Sequence, residues 1–133
     1  MSIYVTPVGT DTAFASTTPL SIAGGTIVSD RATAGAGLAH ALGSLSVSHA
    51  VQNFTAGSNV TGGTAALQFA SLTCASGSGG TATLAPVGVN VIITGNATGA
   101  NTGTSTFALS GTSTGNTIQG IIENGTRTTQ NVT

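Results

Sequence analysis

Period-two alternation is the feature that most narrows what this chain can fold into. From Leu45 the run LSVSHAVQ sets Leu45, Val47, His49 and Val51 on one side of an extended backbone and Ser46, Ser48, Ala50 and Gln52 on the other. That spacing fits a half-buried strand and does not fit a helix. From Val87 the run VGVNVIIT puts Val87, Val89, Val91 and Ile93 on one face, with Ile92 on the second, which predicts a central strand covered partly on both sides. Shorter pieces follow the same rule: Ile3 with Val5, Leu20 with Ile22, Ile27 with Val28, Leu67 with Phe69, Phe107 with Leu109, and Ile118 with Ile122.

Turn residues separate these pieces. Gly24-Gly25, Gly62-Gly63, Ser76 to Gly80, Gly95-Asn96, Thr102-Gly103, Thr114-Gly115-Asn116 and Asn124-Gly125 all tolerate unusual φ. Asn124-Gly125 is the strongest hairpin signal, because both residues accept the positive φ of a type I′ turn. Thr, Val, Ile, Ser, Gly and Asn dominate, and these residues disfavour helix. The stretch Ala32 to Leu42 is the exception, rich in alanine but weakened by Gly35 and Gly37, and it reads as a loop or a single helical turn. The expectation is an all-β fold: a single domain over 1–133, an antiparallel β-sandwich or jelly roll of about seven to nine short strands, with little or no helix.

Charge limits what such a domain can do. Only 4% of the residues are Asp, Glu, Lys or Arg, against about 25% in an ordinary soluble protein. Lysine is absent; the basic residues are Arg31 and Arg127, and the acidic ones Asp11, Asp30 and Glu123. Nucleic acid and anionic lipid are bound by clusters of Lys and Arg, so neither is an expected partner. A mean hydropathy of +0.36 with 39% hydrophobic residues still supports a buried core. The N-terminal residues lack the basic and apolar regions of a secretion signal, and no run is long and apolar enough for a membrane helix.

Little here supports catalysis or metal binding. Cys74 is the single cysteine, so no intrachain disulfide forms, and it reads as a small buried apolar residue. One cysteine and two histidines at nine-residue spacing make no zinc set. His40 and His49 read as core or interface histidines bonded to backbone. Asp30-Arg31 reads as a turn with a local or intersubunit ion pair. No G-x-S-x-G elbow occurs, and the glycines of Ser76 to Gly80 precede no Lys-Ser/Thr. The expectation is no enzyme, no cofactor, no metal and no small-molecule substrate. Five N-x-S/T sequons occur, at Asn53, Asn59, Asn96, Asn124 and Asn131, and about two or three of them are expected from a composition rich in Asn and Thr alone.

In size, low charge and inferred topology, the whole chain resembles the small β-sandwich or jelly-roll decoration proteins, or cement proteins, of tailed bacteriophage capsids. That resemblance implies a structural virion protein, made in the host cytoplasm and bound to the outside of the head. It would stabilise capsomer junctions, with the major capsid protein and copies of itself as a homodimer or homotrimer for partners. The alternative is an extracellular one, since Ala82 to Thr112 is similar to the end of bacterial Ig-like repeats of filaments or surface layers. A third reading is an ice-binding β protein, from the T-x-T motifs beginning at Thr10, Thr81, Thr104, Thr112 and Thr126. Their intervals do not keep the fixed period of a regular solenoid. In an assembly the terminal strands are the expected contact, and Ile3, Tyr4, Val5, Arg127, Asn131 and Val132 are the candidate interface residues. The polar tail from Thr126 is expected to be held by strand pairing.

Overall fold

The computed structural model describes residues 1–7, 11–75, 80–100, 104–125 and 129–132. Among them there is no helix, and every paired strand runs parallel to its neighbours. The first turn holds β1 (Ser2–Val5) and β2 (Leu20–Ile22), and the second holds β3 (Gly25–Ser29), β4 (Gly35–Ala36), β5 (Ala39–Leu42) and β6 (Leu45–Val47). Next come β7 (Val51–Ala56), β8 (Val60–Gly62), β9 (Ala65–Phe69) and β10 (Leu72–Ala75), then β11 (Thr81–Val87), β12 (Val89–Ile93) and β13 (Ala97–Ala100). The path closes with β14 (Thr104–Leu109), β15 (Thr117–Ile118), β16 (Ile122–Glu123) and β17 (Thr129–Val132).

These strands stack into three sheets. Face A has the order β1-β3-β7-β11-β14-β17, face B β15-β12-β9-β5, and face C β16-β13-β10-β6-β2, with the small pair β4-β8 between faces A and B. The chain visits A, B and C in rotation, so it is a β-solenoid of about 4 turns. The expected antiparallel sandwich or jelly roll is therefore wrong, and so is the count of seven to nine strands.

Register shows the reason. On face C, Leu20 lies beside Leu45, Leu45 beside Leu72, Leu72 beside Ala97 and Ala97 beside Ile122, at steps of 25, 27, 25 and 25 residues. Like side chains stack on like, and each column becomes a wall of the core. Face A steps by 24, 27, 32, 25 and 25 residues, the longest step spanning the glycine-rich Ser76 to Gly80 stretch. The period lives in buried columns, whereas the T-x-T motifs among the described residues fall on outward or half-buried positions of β11 and β14 and on the loop after β14.

Alternation holds in strands such as β11 and β12, whereas β3 buries Ile27, Val28 and Ser29 in succession and β9 buries Ala65, Ala66 and Leu67. In β11, Ala82, Leu84 and Pro86 are buried while Thr81 and Val87 are exposed. Pro86 sits in an interior strand despite its missing N–H. Its carbonyl accepts from Thr112 and Ser113, beyond the end of β14, so the absent donor falls on the side where ladder pairing has already stopped. Phe54 and Phe69 meet edge to face across the core with centroids 6.2 Å apart. Cys74 is 2% exposed within the same core, as its sequence context predicts.

Several local expectations change. The run from Leu45 to Gln52 is two strands on different faces: β6 ends at Val47, and Ser48 to Ala50 turn the corner to β7. Val51 accordingly points outward and Gln52 inward, the reverse of the continuous alternation. Ala39 to Leu42 is strand β5, and Gly35-Ala36 is β4, so the alanine-rich stretch is neither loop nor helical turn. Asn124-Gly125 makes no hairpin. Gly125 has φ 60 at a corner, β16 pairs with β13, and β17 pairs with β14.

The run from Val87 divides at Gly88, which has φ 70, so Val87 faces outward instead of sharing the buried face, while Val89, Val91 and Ile93 are core and Ile92 is half-buried. Val89 and Val91 are 0% and 2% exposed. Either valine changed to alanine should cost about 1–3 kcal/mol in a urea melt. Losses within about 0.5 kcal/mol at both positions would remove β12 from the core.

Candidate functional site

Polar chemistry concentrates at the corner between faces A and B of the second turn. Asp30 follows β3, and its Oδ1 accepts from the Arg31 amide at 2.8 Å and the Asn59 amide at 3.0 Å. Asn59 returns its side-chain NH₂ to the Arg31 carbonyl at 2.7 Å, tying one turn to the next. Arg31 donates through Nε to the Thr33 carbonyl and through a terminal nitrogen to the Ala36 carbonyl, and its other nitrogen stands 3.4 Å from Asp11. Asp11 accepts from the Ala32 and Thr33 amides and from the Thr33 hydroxyl. The ion pair expected at Asp30-Arg31 forms within the chain but is not local, since Arg31 pairs with Asp11, far away in sequence, while Asp30 accepts from the Arg31 amide.

Hydrogen bonds from the Thr33 hydroxyl and amide, with Arg31 adding attraction, hold the Asp11 carboxyl at about 2, below its ordinary 3.8. A carboxyl depressed on folding adds stability that is complete above pH 3.8 and is lost as pH falls through about 2. A carbon-detected titration of Asp11 should therefore show a midpoint near 2. A midpoint at the ordinary 3.8 would mean that this clamp does not form in solution.

His40 stands beside this corner and is fully buried. The Phe14 amide donates to its Nδ1 at 3.0 Å, and its Nε2 lies 3.0 Å from the Asp30 carbonyl, which can only accept. These partners fit the neutral ring with its proton on Nε2. Both nitrogens are thus occupied by backbone, in keeping with the core reading of His40. His49 differs from expectation: it is half-buried on the corner after β6, beside Gly80, instead of on an apolar strand face.

The corner ties backbone segments together and presents no nucleophile beside a free base. Among the described residues no three His, Cys, Asp or Glu gather as a metal site. A shallow cleft lined by Thr64, Asn90, Thr112, Ser113 and Thr114 offers hydroxyls and amides without a charged group. The T-x-T motifs do not form an array. Thr81 lies beside Thr106, but Thr83 lies beside Val51 and Ala108, Thr112 is on a loop, and the motifs starting at Thr10 and Thr126 begin outside the described residues.

The ends of the solenoid are different. At the first turn an apolar groove of about 340 Å³ opens between β1, the Phe14 to Leu20 segment and Leu42. Tyr4 and Phe14 are 68% and 41% exposed at its rim. At the last turns a groove of about 280 Å³ opens among Val91, Ile93, Phe107, Leu109, Ile118 and Ile122. Interior columns simply run out at both places, leaving Leu109 and Ile122 each 44% exposed.

The candidate interface residues divide between these ends. Ile3, Tyr4 and Val5 form β1 at the outer edge of face A and line the first groove, though Val5 itself is buried. Asn131 and Val132 lie in β17 at the opposite edge of the same face, and Arg127 lies outside the described residues. The described part of the tail, Thr129–Val132, is held by pairing with β14 of its own sheet. Sequence reasoning missed Phe14, Leu42, Leu109 and Ile118 as end residues. Nothing in their local pattern separates the last rung of a column from its middle. No family model matches the chain, and no curated protein or solved structure is significantly similar to it.

Proposed function

We propose that this chain is a structural, non-enzymatic building block, a parallel β-solenoid segment that works by contact through the open ends of its core. The observation that carries this reading is the pair of apolar grooves at the two ends. Solenoids need polar caps on their terminal turns to stay soluble alone, and these ends present Phe14, Leu109 and Ile122 instead. The polar cluster supports the same reading, since its carboxylates and His40 are committed to hydrogen bonds and an ion pair within the chain. The decoration-protein expectation leaned on a sandwich topology that the solenoid replaces. What remains of it is a low-charge protein whose surface is completed by neighbours.

A photo-crosslinking residue tests this in cells that produce the chain. Placed at Ile121, exposed at the second end, it should crosslink strongly, and placed at Asn53 on the outside of face A it should not. The opposite pattern would move the working surface to the sheet faces and overturn the reading.

A further inference from the structure

We propose that the notch at the corner between β11 and β12 binds a neutral, hydroxyl-rich ligand, a mono- or disaccharide. This goes beyond the end contacts and does not depend on them. The notch arises because the corners between faces A and B differ in length from turn to turn. Residues 57–64 make the corner after β7 and residues 110–116 the one after β14, whereas Gly88 alone, at φ 70, joins β11 to β12. A short corner between two long ones leaves a slot. Thr64 stands on one side of it and Thr112 to Gly115 on the other, with Gly88 and Asn90 between them, around a cleft of about 420 Å³. That volume falls within the roughly 300–1,000 Å³ of small-molecule sites.

The wall after β14 is fixed before any ligand arrives. The Pro86 carbonyl accepts from the Thr112 amide at 3.0 Å and from the Ser113 amide at 3.2 Å. Asn116 donates from its side chain to the Ser113 carbonyl at 2.6 Å and accepts from the Val91 amide at 2.9 Å. A loop pinned to both β11 and β12 has little freedom left to lose on binding. Asn90 is the polar member of an outward row that otherwise holds Ala66 and Ala39. Gly115 makes room for it, since a Cβ there would stand 2.3 Å from the Asn90 side-chain nitrogen.

Lining chemistry selects the ligand. None of the lining residues is charged, so an anion or a cation would give up its hydration without a counter-charge. Apart from the threonine methyls none is apolar, so a hydrophobic ligand gains little. The cleft offers the hydroxyls of Thr64, Thr112 and Thr114, each able to donate and to accept, and the Asn90 carboxamide. A carboxamide presents an acceptor and a donor side by side, a match for two adjacent ring hydroxyls of a sugar. No aromatic ring lines the cleft, so stacking adds nothing and the expected Kd is about 1–10 mM.

An amide-detected NMR titration of the full chain tests this, with glucose, galactose, mannose, N-acetylglucosamine, maltose and cellobiose as probes. At least one of these sugars should shift the amides of Thr64, Asn90, Thr114 and Gly115 saturably and leave the outer strands of face A unmoved. Asn90→Ala removes the carboxamide, and Gly115→Val pushes it aside. Each should weaken that binding by about tenfold or more while the rest of the spectrum stays as in wild type. Thr64→Ala replaces either variant if it fails to fold. The absence of a saturable shift from every sugar in the set overturns the inference, and so does undiminished binding by the folded variants. Tighter binding of glucose phosphate, or of triglycine blocked at both ends, than of every neutral sugar overturns it too, because the cleft would then be selecting charge or peptide.

Discussion

Phe54→Ala should lower the stability of the chain by about 3–5 kcal/mol, a large share of the roughly 5–15 kcal/mol that holds a typical domain together. Phe54 is 0% exposed and stands in the column Ile3, Ile27, Phe54, Pro86 of face A. Its ring meets Phe69 of the same turn at 69° between planes, so alanine removes both the column contact and the brace across the core. In a solenoid each turn is stabilised by its neighbours, and a cavity in the third turn weakens the coupling between the turns before and after it. A urea melt of the variant should show a lower midpoint and loss of a single sharp transition. A midpoint shift worth less than about 1 kcal/mol, with the transition still sharp, would show that the aromatic pair is not the central brace.

Strand content and part of the burial were legible because alternation is local, though Val51 and Val87, read as inward, are exposed and Gln52, read as outward, is buried. Val89, Val91 and Ile93 read as core and are core. Strand direction was not legible, because a period of two is the same in parallel and antiparallel ladders. Parallel sheets usually announce themselves by apolar runs buried on both faces. Here strands such as Thr81–Val87 bury one face only, so their pattern imitates an antiparallel meander. Corner chemistry adds to the ambiguity, since glycine and asparagine serve a solenoid corner as well as a hairpin. Asn116 shows the corner use: its side-chain oxygen accepts from the Val91 amide at 2.9 Å, next to the two-residue β15.

The repeat itself was present but degenerate. Leu20, Leu45 and Leu72 keep one residue type at steps of 25 and 27, and the column then changes to Ala97 and Ile122. Side-chain type drifts while position is kept, because a core wall asks only for apolar volume. The candidate ends were half legible. Terminal strands at an edge follow from chain order in almost any β fold, which is why Ile3 and Tyr4 were found. Phe14, Leu109 and Ile122 become end residues only through the winding, which brings positions about 25 residues apart onto adjacent rungs.

His40→Leu should be nearly as damaging as the loss of Phe54, although it replaces a polar core residue with an apolar one of similar size. His40 occupies the inward column with Leu67 and Val91, where leucine would satisfy the packing. The cost comes from what its ring holds. Without the imidazole, the Phe14 amide loses its acceptor and the Asp30 carbonyl loses its ring donor. An unpaired buried polar group costs about 1–3 kcal/mol, so two give on the order of 2–6 kcal/mol, less whatever water recovers at the open first turn. The damage should be local. Amide exchange should quicken at Phe14, Ala15 and Ser16 while the amides of β9 and β12 stay protected, because the ring bonds only to the Phe14 amide of the first turn and the Asp30 carbonyl at the corner after β3. His40→Gln, which keeps one donor and one acceptor, should recover part of the loss. A fully stable His40→Leu with slow exchange at Phe14 would show that strand pairing at Ala15 and Ala41 holds the first turn without the histidine.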